Sequence, residues 1–423
     1  MVVLVTIMAA ALMGLGLWGC AASDSDDDAE GGEVAPTSVV SPSTDEPTSS
    51  APPSAVGPST TASPETSGPA TTRVSDSGTP PSLDPEQAAI VEDITEFVSE
   101  VRGLPFLEEV PVEFLPDEEF QARLDETTEE EIDEEERART EELWKALRLI
   151  GPDDDLFGLV DQAGQEGTLG FYEYDTRSMV VRGEELTPFV RVTLAHELTH
   201  ALDDQHFGLD REELADDSEA DFGFLVLTEG SAEHVAAQYE GQLSADEQEA
   251  LADEMASFVG DADLDDVPVE LLLAIQMPYF LGPDLIEAIV DDDGLDGLNA
   301  SFDDPPTTAE QTFEPQAYLD RDEAVEVPLP PAGSDPVDDG VFGSLGMFLL
   351  FPGATGFDLA ERWAGDSYVQ WLDDDGRPCV RVDLLAEDDA ADDYETALSS
   401  WSESHGDATT ERVGETVRLT ACG

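Results

Sequence analysis

The chain has 423 residues, of which 99 are acidic and 17 are basic, so its formal net charge is −82. A charge of this sign and size repels nucleic acids and anionic membrane surfaces, and it excludes both as expected partners. It also destabilises the compact state by self-repulsion unless counterions screen it, which favours a halophilic or salt-tolerant source. Three cysteines are too few for a disulfide scaffold or a cysteine-based zinc ribbon.

Residues 1–19 are apolar and carry no charged side chain, and small residues lie near the end of this segment. This pattern is typical of a secretory signal peptide. Leu17-Trp18-Gly19-Cys20 resembles a lipobox. The resemblance implies cleavage before Cys20 and lipidation of its thiol, so we expect an exported lipoprotein on the extracellular face of the membrane. The usual basic residues before the apolar run are missing, and an uncleaved anchor helix is the alternative.

Residues 20–84 consist mainly of Ser, Thr, Pro, Gly and acidic residues. Such a segment cannot bury enough apolar surface to order itself, so we predict a disordered stalk. Folding begins near Pro85. We expect one domain over residues 85–330 and a smaller C-terminal α+β subdomain, residues 331–423, packed on it.

Hydrophobic periodicity in the folded part predicts a mainly helical α+β fold with a small sheet. Apolar residues at helical spacing predict an amphipathic helix over 86–101, which Gly103 ends. The next predicted elements are a strand over 110–115, a Glu-rich helical segment over 117–149, strands over 170–175 and 178–182, helices over 188–204 and 222–234, and a buried helix over 267–281. After Gly356 the pattern predicts a short helix, strands over 368–372 and 378–384, a helix over 390–401 and a last strand over 413–419.

The predicted helix over 188–204 carries His196-Glu197-Leu198-Thr199-His200, an HExxH sequence with uncharged flanks. Residues four apart share one face of a helix, so His196 and His200 can bind a single metal ion. Glu197 then lies beside that ion, where it can take a proton from water. The bare motif occurs often by chance, but four of the five histidines of the chain fall between residues 196 and 234.

Glu229 lies between apolar residues in the next predicted helix. A carboxylate in such surroundings is costly unless it is paired or binds a metal, which makes Glu229 the expected third ligand. Three protein ligands with one open position are typical of catalytic zinc, whereas four are typical of structural zinc. Glu233, one turn later, and Asp204, one turn past His200, can hydrogen-bond the far nitrogen of a ligand histidine. Solvated surface charge is the alternative for both.

This set of residues resembles the active site of the gluzincin group of zinc metallopeptidases. The resemblance implies that His196, His200 and Glu229 bind Zn²⁺. It also implies that Glu197 is the general base and that Glu233 supports a ligand histidine. Thermolysin-like members of the group have Asp at the last of these positions, so the glutamate departs from their pattern.

A wider resemblance, over roughly residues 86–420, is to a family of exported actinobacterial and haloarchaeal surface lipoproteins that are similar to metallopeptidases. This resemblance implies a fold and a site, but it names no substrate. The motifs that carry it are Arg102-Gly103-Leu104-Pro105-Phe106, Gly170-Phe171-Tyr172, HELTHALDDQHF over 196–207, Pro305-Pro306-Thr307-Thr308-Ala309-Glu310-Gln311 and Trp363-Ala364-Gly365-Asp366.

The combined expectation is a monomeric, membrane-tethered zinc peptidase that hydrolyses peptide or protein substrates outside the cytoplasm. The strand over 178–182 is a candidate for edge pairing with an extended substrate, and an ordinary hairpin is the alternative. An oxyanion stabiliser is also expected, and its candidates are His206, His234, Tyr239 and Tyr172.

Two other functions remain open from the sequence. The first is a catalytically inactive or non-enzymatic cell-surface protein that binds a partner through a peptidase scaffold. The second is a metal-storage lipoprotein, which the small number of ligand residues outside this window disfavours.

The C-terminal cysteines provide a further expectation. Cys379 and Cys422 flank the last predicted unit, and in an exported protein we expect a disulfide between them. Two buried thiols are the alternative.

Overall fold

The computed structural model describes residues 83–128, 134–183, 185–214, 217–387 and 390–423. The expected signal peptide, the expected lipidation at Cys20 and all but the last two residues of the expected stalk lie outside these ranges.

The described residues form a mixed α+β structure that is mainly helical, in agreement with the predicted class. The helices are α1 (Pro85–Arg102), α2 (Asp117–Thr128), α3 (Glu134–Ala146), α4 (Leu156–Gly167), α5 (Pro188–Phe207), α6 (Ser218–Glu240), α7 (Ala245–Asp261), α8 (Val269–Ser301), α9 (Glu310–Phe313), α10 (Pro315–Asp320), α11 (Gly343–Leu350), α12 (Ala354–Ala360) and α13 (Ala391–Ser404). The strands are β1 (Val112–Leu115), β2 (Gly170–Glu173), β3 (Ser178–Arg182), β4 (Pro336–Gly340), β5 (Trp363–Leu372), β6 (Pro378–Ala386), β7 (Thr409–Val413) and β8 (Thr416–Cys422).

Helix α1 begins and ends as its sequence predicts. The Asp84 side chain accepts hydrogen bonds from the backbone N–H groups of Glu86 and Gln87, which otherwise lack partners in the first turn. Gly103 ends the helix in the left-handed conformation, with φ of 68°. This end places Arg102, the last helical residue, in the protein interior, where it is 0% exposed.

A three-stranded sheet lies beside the predicted metal-binding helix. Its order is β1-β3-β2, with β1 parallel and β2 antiparallel to β3. Strand β3 is therefore central and paired on both sides, and the prediction that this strand offers a free edge to a substrate is wrong. The edge strand next to α5 is β2 instead.

Helices α5 and α6 form the centre of the molecule. In α5, every residue from Val192 to Asp203 is buried, and in α6 the run Val226–Ala232 is buried. Because these runs are buried on all faces, neither helix shows the single apolar stripe of an amphipathic surface helix. Both helices carry residues of the predicted site.

Helix α8 crosses α6 at a point where both backbones are glycine. A Cβ atom on Gly282 would lie 2.5 Å from the Cα atom of Gly230, so a side chain at either position would separate the helices. Helix α8 is also much longer than predicted, and it changes direction at Asp293 and Gly294, whose backbone angles are not helical. By length and composition α8 could cross a membrane, although 44% of its most apolar window is buried inside the protein.

The C-terminal part contains an antiparallel five-stranded sheet in the order β4-β5-β6-β8-β7. Cys379 on β6 lies opposite Cys422 on β8, and the two form a disulfide. Val382 and Leu419 of this sheet belong to the same hydrophobic cluster as Phe224 of α6. Residues on both sides of the expected boundary at position 330 thus share one core.

Candidate metal centre

Three buried side chains from α5 and α6 converge on one point. The Nε2 atoms of His196 and His200 are 3.1 Å apart. Oε2 of Glu229 lies 3.2 Å from Nε2 of His196 and 3.5 Å from Nε2 of His200. The three residues are at most 1% exposed, and they form a group that could hold a metal ion. The structure therefore brings together the three ligands that the sequence predicts.

Two carboxylate oxygens at this group lack hydrogen-bond partners in the described part of the chain, and a bound cation would stabilise their charge. Oε1 of Glu229 is buried and has no hydrogen-bond partner among the described residues, and the same is true of Oε1 of Glu197. A buried carboxylate oxygen without a partner costs about 1–3 kcal/mol or more, because the water that it has lost is not replaced. Two imidazole nitrogens and one carboxylate in one buried cluster are a donor set that suits a divalent transition metal.

Glu197 is fixed at the edge of the group by the neighbouring sheet. The backbone N–H of Tyr172, on β2, donates to Oε2 of Glu197 at 3.1 Å. Burial raises the pKa of Glu197 well above its usual range, and the negative charge of Glu229 adds to this shift. A cation between these residues would oppose the shift, since it stabilises the ionised carboxylate.

Glu233 lies where the sequence predicts, whereas Asp204 does not. Oε1 of Glu233 is 3.1 Å from Nδ1 of His196, the ring nitrogen that faces away from the other ligands, and the two atoms form a close contact without hydrogen-bond geometry. Asp204 instead accepts a hydrogen bond from the hydroxyl of Tyr172 at 3.1 Å and one from the backbone N–H of Leu209 at 3.0 Å. Its side chain leaves α5 toward β2, so it positions a tyrosine rather than a ligand histidine.

The expected oxyanion stabilisers have other partners. His206 contacts a backbone carbonyl of the loop after α1 at 2.8 Å, and His234 contacts a glutamine of its own helix at 2.9 Å. Tyr239 packs edge-on against a phenylalanine of α1, and the Tyr172 hydroxyl is bonded to Asp204. None of these described contacts directs the four side chains at the ligand group.

Tyr279 lies at the centre and Tyr174 lies close enough to interact with its charges, and neither was predicted from the sequence. The ring of Tyr279, on α8, stacks on His196 with ring centroids 6.1 Å apart and an interplanar angle of 26°. Burial raises the pKa values of Tyr279 and Tyr174 well above the usual range, and the carboxylates of Glu229 and Glu197 add to both shifts. Both hydroxyls therefore stay protonated, and that of Tyr279 hydrogen-bonds the carboxyl group of Glu229. For Tyr279 the signal in the sequence was a phenol group within an apolar stretch of α8.

No protein-family profile, curated protein or solved structure matches the chain, so the function has to be inferred from the geometry of this centre.

Proposed function

We propose that the protein is a zinc-dependent peptidase of the gluzincin type with a zincin-like fold. The observation that carries this proposal is the convergence of His196, His200 and Glu229, with the carboxyl group of Glu197 beside them. Two ligands come from one helix and the third from the next helix, with a sheet edge alongside. A three-ligand site leaves one coordination position for a reacting molecule.

The separations between the ligand atoms support zinc as the metal. Ligands at about 2.0–2.1 Å from a tetrahedral zinc ion are about 3.3–3.4 Å from one another. The observed separations of 3.1, 3.2 and 3.5 Å bracket that value. Calcium and magnesium prefer oxygen ligands, so two imidazole nitrogens disfavour them.

The chain itself supplies the proton transfers and the orientation of the reactants. When bound, zinc would supply a Lewis acid that polarises the scissile carbonyl and lowers the pKa of a water molecule toward about 7. Oε1 of Glu197 takes a proton from the attacking water and passes it to the leaving amine. Oε2 stays bonded to the Tyr172 N–H, which keeps the carboxyl group in one orientation. The protonated hydroxyl of Tyr279, whose ring stacks on His196, can donate to the carbonyl oxygen as it gains negative charge.

We also propose that the enzyme acts outside the cytoplasm as a membrane-anchored lipoprotein. The N-terminal apolar run and the lipobox-like sequence around Cys20 support export and anchoring. The disulfide between Cys379 and Cys422 supports an oxidising compartment, where such bonds persist.

The test is metal analysis together with a peptide-library cleavage assay on the full chain and on Glu197→Gln. We expect wild type to bind one zinc ion and to cleave peptides. The variant should keep the zinc and lose roughly 10²–10⁴-fold in kcat/KM, because general acid–base catalysis contributes that much. Glu249→Gln is the matched control, since it makes the same chemical change at an exposed position of α7.

The outcomes separate the alternatives. Zinc binding with equal cleavage in wild type and Glu197→Gln would reject catalysis at this centre and favour a binding protein on a peptidase scaffold. Loss of zinc in His200→Ala but not in Glu249→Gln assigns the metal to this site. Wild-type protein that binds no zinc under metal-replete conditions would reject the proposal as a whole.

A further inference from the structure

The last turn of α5 and the end of α1 meet in a buried polar network close to the metal centre. Asp203 lies in that turn, and it is 2% exposed. Its Oδ1 accepts hydrogen bonds from Nε and a terminal nitrogen of Arg102, at 3.0 and 2.7 Å. Its Oδ2 accepts a hydrogen bond from the hydroxyl of Ser231 at 2.6 Å. One carboxylate therefore ties three helices, α1, α5 and α6, together.

The network lies inside the protein, where the charges of Arg102 and Asp203 have no water to stabilise them and each needs the other as a partner. Arg102 and Ser231 are both 0% exposed. A carboxylate at this depth is stable only with a charged partner and additional hydrogen bonds, and Arg102 with Ser231 provides both. The guanidinium group of Arg102 also contacts Asn299 of α8 at 3.3 Å. Removing Asp203 would leave Arg102 with only its contact to Asn299 and would take from Ser231 its bond to α5.

The position of the network along the helices connects it to the metal ligands. Asp203 follows His200 by three residues on α5, and Ser231 follows Glu229 by two residues on α6. The bond between Asp203 and Ser231 thus fixes α5 against α6 within one helical turn of a ligand on each helix. A shift between these helices would change the separation of His200 and Glu229, which is now 3.5 Å.

We propose that Asp203 is a positioning residue of the metal centre, which acts by holding the α5 and α6 ligands at the separation that a metal ion requires. The inference rests on the proposed metal centre and is independent of peptidase activity. It also gives one physical role to Arg102, which opens the Arg-Gly-Leu-Pro-Phe motif at the end of α1, and to Asp203, the first residue of the Asp-Asp pair after HExxH.

A partly buried aspartate–arginine pair elsewhere in the chain provides the control. Asp383 on β6 accepts two hydrogen bonds from Arg418 on β8, at 2.6 and 2.7 Å, and it is 6% exposed. It lies in the C-terminal sheet, away from α5 and α6. Asp383→Asn therefore reports the loss of stability that follows from breaking an ion pair alone.

The experiment measures zinc affinity by competition with a chromophoric chelator in wild type, Ser231→Ala, Asp203→Asn and Asp383→Asn, on the full chain. Ser231→Ala is the mildest change, because it removes only the link from Asp203 to α6. We expect it to weaken zinc binding roughly tenfold and Asp203→Asn to weaken it by about 10–100-fold, the range for residues that support metal ligands. Asp383→Asn should lower the thermal midpoint without changing zinc affinity.

A spectroscopic measurement distinguishes a change in ligand geometry from partial unfolding. The visible absorption of bound Co²⁺ reports the ligand geometry, so Ser231→Ala should shift that spectrum while its far-UV circular dichroism matches wild type. Zinc affinity and Co²⁺ spectrum equal to wild type in Ser231→Ala and Asp203→Asn would overturn the inference. An effect of Asp383→Asn on affinity equal to that of Asp203→Asn would also overturn it. Failure of wild type to bind zinc would instead reject the metal centre itself.

Discussion

The side chains of the metal centre leave part of their bonding capacity unused by the protein. Oε1 of Glu229 and Oε1 of Glu197 have no described hydrogen-bond partner, although native structures pair nearly all such buried groups. The other oxygen of Glu229, Oε2, contacts both histidines. Buried oxygens without hydrogen-bond partners are a local departure from the usual pairing of polar groups, and such departures are typical of functional sites.

Tyr279→Phe removes the hydroxyl of the tyrosine whose ring stacks on His196. If this hydroxyl stabilises the oxyanion, its loss lowers kcat roughly 10²–10³-fold with a small effect on KM, because the bond strengthens mainly in the transition state. Steady-state kinetics on a peptide substrate measure both constants. Zinc content should stay unchanged, since the ring that packs on His196 is retained.

Tyr394→Phe is the control for this change. Tyr394 is 0% exposed, and its hydroxyl donates to the carbonyl of Leu359 in the C-terminal part. Its loss should cost about 1 kcal/mol of stability and leave kcat at the wild-type value. A kcat for Tyr279→Phe as high as that of Tyr394→Phe would exclude the hydroxyl of Tyr279 from catalysis.

At the scale of elements, the centre depends on how closely α6 and α8 approach. The two helices cross at Gly230 and Gly282, and Gly230 directly follows the ligand Glu229. Tyr279 lies three residues before Gly282, so the same crossing brings this tyrosine to the ligands. Glycine is required at this crossing because the backbones leave no space for a Cβ atom.

Gly282→Ala tests the crossing. The added methyl group would meet the backbone of Gly230, so we expect a loss of about 1–3 kcal/mol in the free energy of unfolding, together with weaker zinc binding. Gly260→Ala, in α7, is the matched control. No heavy atom lies within 4 Å of its added Cβ, and a helical alanine there should leave stability unchanged or raise it. Urea denaturation measures both variants, and equal stability of the two would contradict the role of the crossing.

The helices that carry the ligands could be predicted from the sequence, because HExxH and the glutamate that follows are local patterns. Features that depend on how the elements pack together could not be predicted from the sequence. The pattern of residues 178–182 predicts a strand but does not say that β3 pairs on both sides. Asp203 and Asp204 are adjacent and chemically alike, yet a rotation of about 100° on the helix directs one to Arg102 and the other to Tyr172. Tyr279 lies 50 residues after Glu229 in the sequence, and the crossing of α6 and α8 brings it to the site.

At the scale of the whole molecule, the acidic composition extends into the interior. Burial raises the pKa of Glu219 to about 8, and the nearby Asp366 and Asp217 add to this shift. Burial raises the pKa of Glu310 to about 8, and that of Asp366 to about 6. These carboxyl groups lie where α6, α9 and α11 meet the C-terminal sheet. The described part of the chain therefore holds carboxyl groups that bind protons more tightly when folded.

The sign of the resulting pH dependence follows from proton linkage. Between about pH 4.5 and about pH 8 the folded state keeps the proton on Glu219 and the unfolded state releases it. The contribution of this group is complete below pH 4.5 and is lost as the pH rises toward 8. We expect Glu219→Gln, which stays neutral and can still accept from the Ala309 N–H, to gain stability relative to wild type over that range.

Urea unfolding of both proteins at several pH values measures this difference, and charge effects common to the two chains cancel. Glu249→Gln, at an exposed position, should follow wild type at every pH. A constant difference between Glu219→Gln and wild type from pH 5 to pH 8 would show that Glu219 is ionised throughout.

In the proposed metal centre, zinc binding would be coupled to folding, which would link the lifetime of the protein to metal supply. The buried set of His196, His200 and Glu229 is complete only in a chain whose α5 and α6 are assembled, so a metal ion would bind the folded state in preference to the unfolded state. Free zinc at 100 times its dissociation constant would add about 2.7 kcal/mol to the folded state. Where zinc is scarce, the apolar helices at the centre of the molecule would open more often and become accessible to proteolysis. Metal-starved copies would then be removed faster than loaded ones, without a dedicated sensor.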